Sequence, residues 1–221
     1  MPLMPGRSSD KGGGIDNRAD VPGKKAPMTA VQHPTHAAVL VEQDVVTHAT
    51  ARRALGALRI GFGLTFLWAF FDKLLALGYA TGANPETGAV DRFGPAAWFN
   101  EGSPTFGFLS FGVSEDNWFH GFFTGIAGDA WADWLFMLGL AGIGVALVLG
   151  IGIRPAAAAG GLLYLMMYAA SFPLENNPVI DDHLLGAISL AVFGATLAGD
   201  TWGFGRTWAT SRIVRRFPFL R

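Results

Sequence analysis

One short polar segment carries the side chains of this sequence that are best suited to moving protons. Residues 174–186 read LENNPVIDDHLLG and place Glu175, Asp181, Asp182 and His183 directly before an apolar run. Carboxylates and imidazoles are the usual general acids and bases of proteins. Because they stand at the start of a hydrophobic segment, we expect them to border a cavity, and we take Asp181, Asp182 and His183 as candidate catalytic residues.

Two other roles compete for the same residues. One of the two aspartates is expected to cap the following helix, since a carboxylate at a helix N-terminus accepts from free backbone N–H groups. A haem ligated by His183 and His120 is a further alternative. The chain has no cysteine, which excludes disulfides, thiolate metal sites and CxxC redox chemistry. Apart from this histidine pair, nothing in the sequence indicates haem, flavin or metal, so a redox role would otherwise need a bound or diffusible cofactor.

The elements that must position these residues are long and apolar. Of the 221 residues 51% are hydrophobic and only 15% are charged. Helices that cross a bilayer need about 20 apolar residues. The sequence predicts four such spans, at Leu55–Leu77, Trp134–Ile153, Ala156–Phe172 and Leu184–Trp202. The expected fold is therefore all-α, an integral membrane four-helix bundle.

The distribution of basic residues predicts how the bundle is oriented. Seven Lys and Arg residues precede the first span and five follow the last, whereas the loop 79–132 holds only Arg92 against six acidic residues. Basic residues favour the cytoplasmic side, so both termini are expected there. The net charge of -1 gives no electrostatic case for nucleic acid as a partner.

Three parts of the chain follow from this reading. Residues 1–53 are rich in Gly, Pro and charge, and predict a disordered cytoplasmic tail, with a short helix across Ala37–Ala54 as an alternative. Residues 54–203 form the transmembrane domain. Residues 204–221 form a basic cytoplasmic segment, which is also typical of an amphipathic stretch that binds lipid.

The long outer loop is rich in aromatic residues, and Trp98 is one of them. We expect the segments GPAAWFN and NWFHGFFTGIAG to form short helices in the membrane interface, where aromatic rings are enriched. A ligand-binding lid is the alternative to this aromatic belt. Trp98 is a candidate quinone-binding residue in either case.

Ionisable and small residues within the spans add further candidates. A 100° step per residue places Arg59, Gly63 and Lys73 on one stripe of the first span. Both cations either extend to lipid head groups or face the interior and bind a ligand. A seam that includes Gly139 and Gly142 predicts close helix packing in the second span.

The outer half of the bundle is expected to collect several of these side chains in one place. Lys73 and Tyr168 would join the acidic segment there, beneath the aromatic loop. An anion or a quinone head group could then meet a proton acceptor. We take Lys73, Arg59, Arg92 and Tyr168 as candidate substrate-binding or quinone-binding residues.

Four stretches together resemble one family of membrane proteins. They are RIGFGLTFLWAFFDKL, WFNEGSPTFGFL, LFMLGLAGIGVALVLGIGIRP and NNPVIDDH, and they lie between Arg59 and Trp208. On these residues the chain resembles the DoxX/DoxD family. The resemblance implies a four-helix protein of the bacterial plasma membrane.

The resemblance also implies a function. The DoxD branch is the large subunit of thiosulfate:quinone oxidoreductase, which passes electrons from thiosulfate to a membrane quinone and yields tetrathionate. With thiosulfate as substrate, we expect from charge and spacing that Lys73 or Arg92 holds the dianion and that Asp182 or His183 manages the protons that quinone reduction consumes. Expected partners are the lipid bilayer, a membrane quinone, and a small second subunit or soluble redox enzyme. The alternative is a non-catalytic membrane scaffold that anchors a soluble redox enzyme.

Overall fold

Residues 39–221 are described by the structure, a computed structural model of the chain. This part is helical, and its only β-type pairing is an isolated bridge between Ala83 and Val90. The α-helices are α1 (Glu42–Val45), α2 (Ala49–Leu75), α3 (His120–Gly125), α4 (Ala130–Leu149), α5 (Ile153–Ala170), α6 (Asp182–Thr196), α7 (Gly205–Ala209) and α8 (Arg212–Arg216). Short 3-10 helices lie at Trp98–Asn100 and Pro218–Leu220, and a π-helix at Phe108–Gly112. The all-α prediction is confirmed for these residues.

Four of the helices correspond to the predicted spans. Among the described residues, α2 and α4, with 27 and 20 residues, are long and apolar enough to cross a membrane. The helices α5 and α6 have 18 and 15 residues, and α6 is apolar. Two helices that could cross by length and composition are thus found, and a bundle of four crossing helices stays a prediction.

The start of the described chain differs from the predicted tail. Helix α1 and the first turn of α2 fall inside residues 1–53, which we expected to be disordered. This agrees in part with the alternative of a helix across Ala37–Ala54, since residues 46–48 are not helical and separate α1 from α2. Residues 1–38 lie outside the described part of the chain.

Helices α2 and α4 cross at two glycines. A methyl group at Gly63 would lie 2.8 Å from Cγ2 of Val148, and one at Gly144 would lie 2.7 Å from Cγ of Leu67. No such contact within 4 Å exists at Gly139 or Gly142, so the seam predicted through those two glycines is wrong. The packing face of α4 lies instead on the side of Gly144, together with the core residues of that helix.

The four long helices form a bundle in which some neighbouring pairs pack more closely than others. Helix α5 packs closely along α6 and also against α4, whereas α2 and α6 touch only briefly. The main core joins α2, α4, α5 and α6 through buried side chains such as Phe66, Met137, Ala157, Leu190 and Phe193. One side of the bundle, between α2 and α6, is therefore left open.

Buried carboxylates fix the long loop to the helix ends. The side chain of Asp72 accepts hydrogen bonds from the backbone N–H of Tyr79 and Ala80 at 3.1 and 2.9 Å. Asp133, near the start of α4, accepts from Oγ1 of Thr105 at 2.6 Å and from Oγ of Ser103 at 2.9 Å. Both carboxylates thus hold the loop against the helix ends.

Both aromatic segments of this loop contain short helices, as predicted. The first holds the 3-10 helix Trp98–Asn100 and the second holds α3. The second is tied to the end of α5 by Asn117, whose Nδ2 donates to the carbonyls of Ala169 and Phe172, each at 2.8 Å. Their location in a membrane interface stays a prediction.

Candidate functional site

Asp181 and His183 form a hydrogen-bonded pair at the start of α6. Oδ2 of Asp181 lies 2.7 Å from Nδ1 of His183, and Oδ1 accepts from the backbone N–H of Leu184 at 2.9 Å. Asp181 is the N-cap, which confirms that one of the two aspartates caps this helix. Partial burial opposes ionisation, but the bonds from Leu184 and His183 outweigh it and lower the pKa of the Asp181 carboxyl. The carboxylate thereby orients the imidazole with Nε2 directed away from it.

A groove of about 840 Å³ borders this pair. Asp182 and His183 line it where α6 begins, and Tyr164 of α5 lines it beside them. The remaining wall belongs to α2 and consists mainly of small and apolar residues: Ala54, Ala57, Leu58, Gly61, Phe62 and Thr65. The groove lies on the side where α2 and α6 make little contact and is open to the exterior. It thus joins a polar end to a long apolar wall.

Tyr164 connects the polar end of the groove to the core. Its ring lies 6.2 Å from the ring of His183 and 5.4 Å from that of Phe66, measured between centroids. A methyl group at Gly186 would lie 2.9 Å from Cζ of Tyr164, so the absence of a side chain on α6 makes room for this ring. The phenol hydroxyl has no hydrogen-bond partner among residues 39–221, and it is a potential donor to a ligand.

The other predicted binding residues do not line this groove. Nζ of Lys73 lies 5.9 Å from the ring centroid of Phe136, and Arg92 is exposed in the loop after α2. The hydroxyl of Tyr168 donates to the carbonyl of Val179 at 2.5 Å, which holds the loop before α6. Trp98 packs edge to face on a tryptophan of α4, with ring centroids 4.7 Å apart. The groove therefore brings together Asp182 and His183, with Asp181 behind them, and not the predicted cations.

Arg59 is fully buried, and its guanidinium donates hydrogen bonds to backbone carbonyl groups. Nε donates to the carbonyl of Ala198 at 3.0 Å, Nη1 to the carbonyls of Leu147 and Val148, and Nη2 to those of Thr201 and Trp202 at 3.1 and 3.2 Å. These carbonyls lie at or beyond the ends of α4 and α6, where helices leave acceptors without intrahelical partners. All five N–H groups are engaged, so Arg59 joins three helices in this arrangement.

A second buried polar cluster lies at the same end of the bundle. The carboxylate of Asp200 accepts from the backbone N–H of Glu42 at 2.9 Å and from Nη2 of Arg221 at 3.1 Å. The Glu42 side chain is fully buried and accepts from Oγ1 of Thr201 at 2.6 Å, while its other oxygen has no partner in the described chain. Burial raises the pKa of the Glu42 carboxyl; the Thr201 bond offsets part of this, and nearby Asp200 adds to it.

Sequence reasoning did not assign Tyr164 or Glu42 to a site. Tyr164 precedes Tyr168 by one helical turn, and this spacing was the only signal for its position on the groove. Glu42 stands in a polar stretch next to Gln43 and Asp44, and that local pattern is typical of solvated side chains. Its burial depends on residues far along the chain, so no local signal existed.

Comparison with known proteins gives no relative: no family model, no curated protein and no solved structure matches this chain. The resemblance to the DoxX/DoxD family stays a prediction that rests on the four sequence stretches.

Proposed function

We propose that the chain is a membrane subunit of a quinone-linked oxidoreductase and that the groove between α2 and α6 receives the quinone head group. The observation that carries this proposal is the hydrogen-bonded Asp181–His183 pair at the polar end of a groove with an apolar wall. A quinone likewise has one polar part, the ring that exchanges protons, and one apolar part, the hydrophobic tail.

Exposed apolar side chains on all four helices support a location in the bilayer. Examples are Leu64 on α2 (55% exposed), Leu138 on α4 (62%), Leu162 on α5 (61%) and Ile188 on α6 (53%). Large exposed apolar surfaces are rare on soluble monomers and typical of membrane contact. The proposal therefore includes α5 and α6 as membrane-crossing helices, in the bacterial plasma membrane, with both termini cytoplasmic.

The groove residues fit a quinone head group in size and in chemistry. Small-molecule sites usually enclose about 300–1,000 Å³ and are mainly apolar with a few placed polar groups. A bound quinone would supply the two-electron, two-proton acceptor chemistry that the described side chains lack. Asp181 would keep the proton of His183 on Nδ1, so that Nε2 can accept or deliver a proton in the groove.

Two further side chains would serve this exchange. The Tyr164 hydroxyl would donate a hydrogen bond to a carbonyl oxygen of the ligand. Asp182 is exposed at the mouth of the groove and would pass protons between His183 and solvent. Both roles need only the polar end of the groove, and the apolar wall along α2 would hold the tail.

Thiosulfate is the first electron donor to test. Oxidation of two thiosulfate ions to tetrathionate releases two electrons, which reduce one quinone with uptake of two protons. The dianion is disfavoured beside Asp182, so its binding would fall to Lys73 or Arg92 outside the groove, or to a small second subunit. The quinone proposal does not depend on this choice of donor.

The test combines bound quinone with activity. Purified protein is extracted and its quinone content measured, and quinone reduction after thiosulfate addition is followed in membranes that carry the protein. His183→Ala is compared with His120→Ala, a histidine of the outer loop whose Nδ1 lies 3.0 Å from the carbonyl of Ser114. We expect quinone in the wild type and in His120→Ala, with loss of both quinone and activity in His183→Ala.

The outcomes separate the enzyme from a scaffold. Lipid without quinone in the wild-type extract, together with no reduction above empty membranes, would reject the proposal and favour a non-catalytic anchor for a soluble redox enzyme. Bound quinone without thiosulfate-dependent reduction would keep the quinone site and reject thiosulfate as the donor.

A further inference from the structure

We propose that residues 202–219 form a binding surface for the head groups of anionic phospholipids. This surface, called the basic collar below, combines exposed cations with exposed apolar side chains. Its members are Trp202, Phe204, Arg206, Arg212, Ile213, Arg215, Arg216, Phe217 and Phe219. The inference requires only that α2 and α4 cross a bilayer, and it does not depend on a quinone site.

Hydrogen bonds and a buried side chain hold the basic collar against the rest of the protein. Nε1 of Trp208 donates to the carbonyl of Leu220 at 2.7 Å, and the backbone N–H of Arg154 donates to the carbonyl of Arg221 at 2.9 Å. Val214 points inward and is only 4% exposed. The exposed residues are thus presented on a fixed support.

Helix α8 concentrates positive charge on one side. With 100° per residue, Arg212, Arg215 and Arg216 fall within a single arc of about 100°, opposite the buried Val214. Ile213 flanks this arc and is 54% exposed. Three guanidinium groups side by side, bordered by an apolar side chain, match a layer of phosphates above acyl chains.

The position of the basic collar agrees with the head-group region. The backbone N–H of Phe204 donates to the carbonyl of Leu149 at 2.8 Å, where α4 ends. A methyl group at Gly56, near the start of α2, would lie 3.2 Å from the carbonyl of Thr201. The surface therefore lies at the ends of the two helices that are long enough to cross a membrane, where the hydrocarbon gives way to head groups.

Charge selects the kind of lipid. From residue 201 to residue 221 the sequence has five arginines and no acidic residue. The nearest carboxylate before this stretch, Asp200, is buried and paired with Arg221. Arg154 adds a further exposed cation at this end. Cations with exposed aromatic rings at a membrane boundary favour anionic over zwitterionic head groups.

The experiment measures the thermal stability of the full chain in detergent micelles with added phosphatidylglycerol or phosphatidylcholine. Wild type is compared with the triple variant Arg212→Gln/Arg215→Gln/Arg216→Gln and with the matched triple variant that carries lysine at the same three positions. The lipid that copurifies with each protein is also identified. All three replaced side chains are exposed, so the buried contacts of α8 are unchanged.

We expect phosphatidylglycerol to raise the melting temperature of the wild type and of the lysine variant, and phosphatidylcholine to have little effect. Each cation near an anionic surface strengthens binding about fivefold, so the glutamine variant should need roughly a hundredfold more anionic lipid. In the wild type and in the lysine variant, added salt should weaken the preference for phosphatidylglycerol.

Either of two results would overturn the proposal. One is an equal response of the wild type to both lipids at every salt concentration. The other is a glutamine variant that folds and keeps the full preference, which would assign the basic collar to another partner, such as a soluble protein. If the glutamine variant does not fold, the salt series on the wild type decides alone.

Discussion

Arg59 on α2 donates from Nε to the carbonyl oxygen of Ala198, just beyond α6, at 3.0 Å. The two residues are 139 positions apart in the chain. With the contacts to the ends of α4 and α6, this bond makes one cation the common cap of two helices. The stripe on the first span left two positions open for Arg59, at the lipid head groups or facing the interior, and its full burial favours the second.

Replacement of Arg59 by lysine should destabilise the protein strongly. Lysine has three donors on one flexible nitrogen and cannot serve five carbonyls, and each buried carbonyl left without a partner costs about 1–3 kcal/mol. We expect the free energy of unfolding to fall by about 3 kcal/mol or more, measured by denaturant titration in detergent. The exposed Arg53→Lys is the control. Equal stability of both variants would contradict the role given to Arg59.

Gly144 should tolerate a methyl group much less well than Gly142 on the same helix. Alanine at Gly144 would place its methyl 2.7 Å from Cγ of Leu67 and 3.0 Å from the Leu67 backbone nitrogen, whereas Gly142 faces open space. We expect Gly144→Ala to lower the free energy of unfolding by about 1–3 kcal/mol. Gly142→Ala should be neutral or stabilise by up to about 1 kcal/mol, since alanine favours helices. Similar losses in both would show that the helices cross elsewhere.

Features that depend on residues close together in the chain could be predicted from the sequence, and features that depend on distant residues could not. Local patterns sufficed for the existence of the main helices, for the common face of Arg59 and Gly63 on α2, and for a capping aspartate before α6. The seam through Gly142 failed because α4 is apolar all round, so its composition does not identify which side meets α2.

The candidate site was predicted only in part for a related reason. Asp182 and His183 are adjacent in the chain, and their common location follows from that alone. Lys73 was expected beside them, but whether two helices stay together or separate depends on packing along their whole length. The sequence suggested ligand binding for Arg59, but its actual acceptors are backbone carbonyls at the ends of α4 and α6. Every residue type has a backbone carbonyl, so the sequence could not identify these acceptors.

Asp181→Asn should separate the two functions of Asp181. Asparagine is as good an N-cap as aspartate, so helix α6 and the melting temperature should be retained. The neutral amide cannot stabilise a protonated His183 as a carboxylate does, so proton exchange in the groove should slow. We expect quinone reduction to fall by about tenfold or more.

Asp181→Ala serves as the comparison for this prediction. It removes the cap as well as the charge, and should also lower the free energy of unfolding by about 1 kcal/mol. Activity and stability are measured on the same preparations. Full activity in Asp181→Asn would show that the pair only caps the helix.

Glu42 should make stability fall as pH rises. Burial raises the pKa of its carboxyl above the ordinary value of 4.5, so the folded state holds the proton more tightly than the unfolded state. Between 4.5 and the raised pKa the folded state binds more protons, and the free energy of unfolding therefore decreases with increasing pH. The loss is complete once the pH exceeds the folded pKa.

Glu42→Gln, which resembles the protonated acid, should remove this dependence. We expect the difference in unfolding free energy between the variant and the wild type to grow in favour of the variant from about pH 4.5 upward and then to level off. Asp44→Asn, an exposed carboxylate two positions further along the chain, is the control and should leave the wild-type slope unchanged. Parallel pH profiles for wild type and Glu42→Gln would mean that the Glu42 carboxyl has the same pKa in the folded and unfolded states, and would reject the raised pKa.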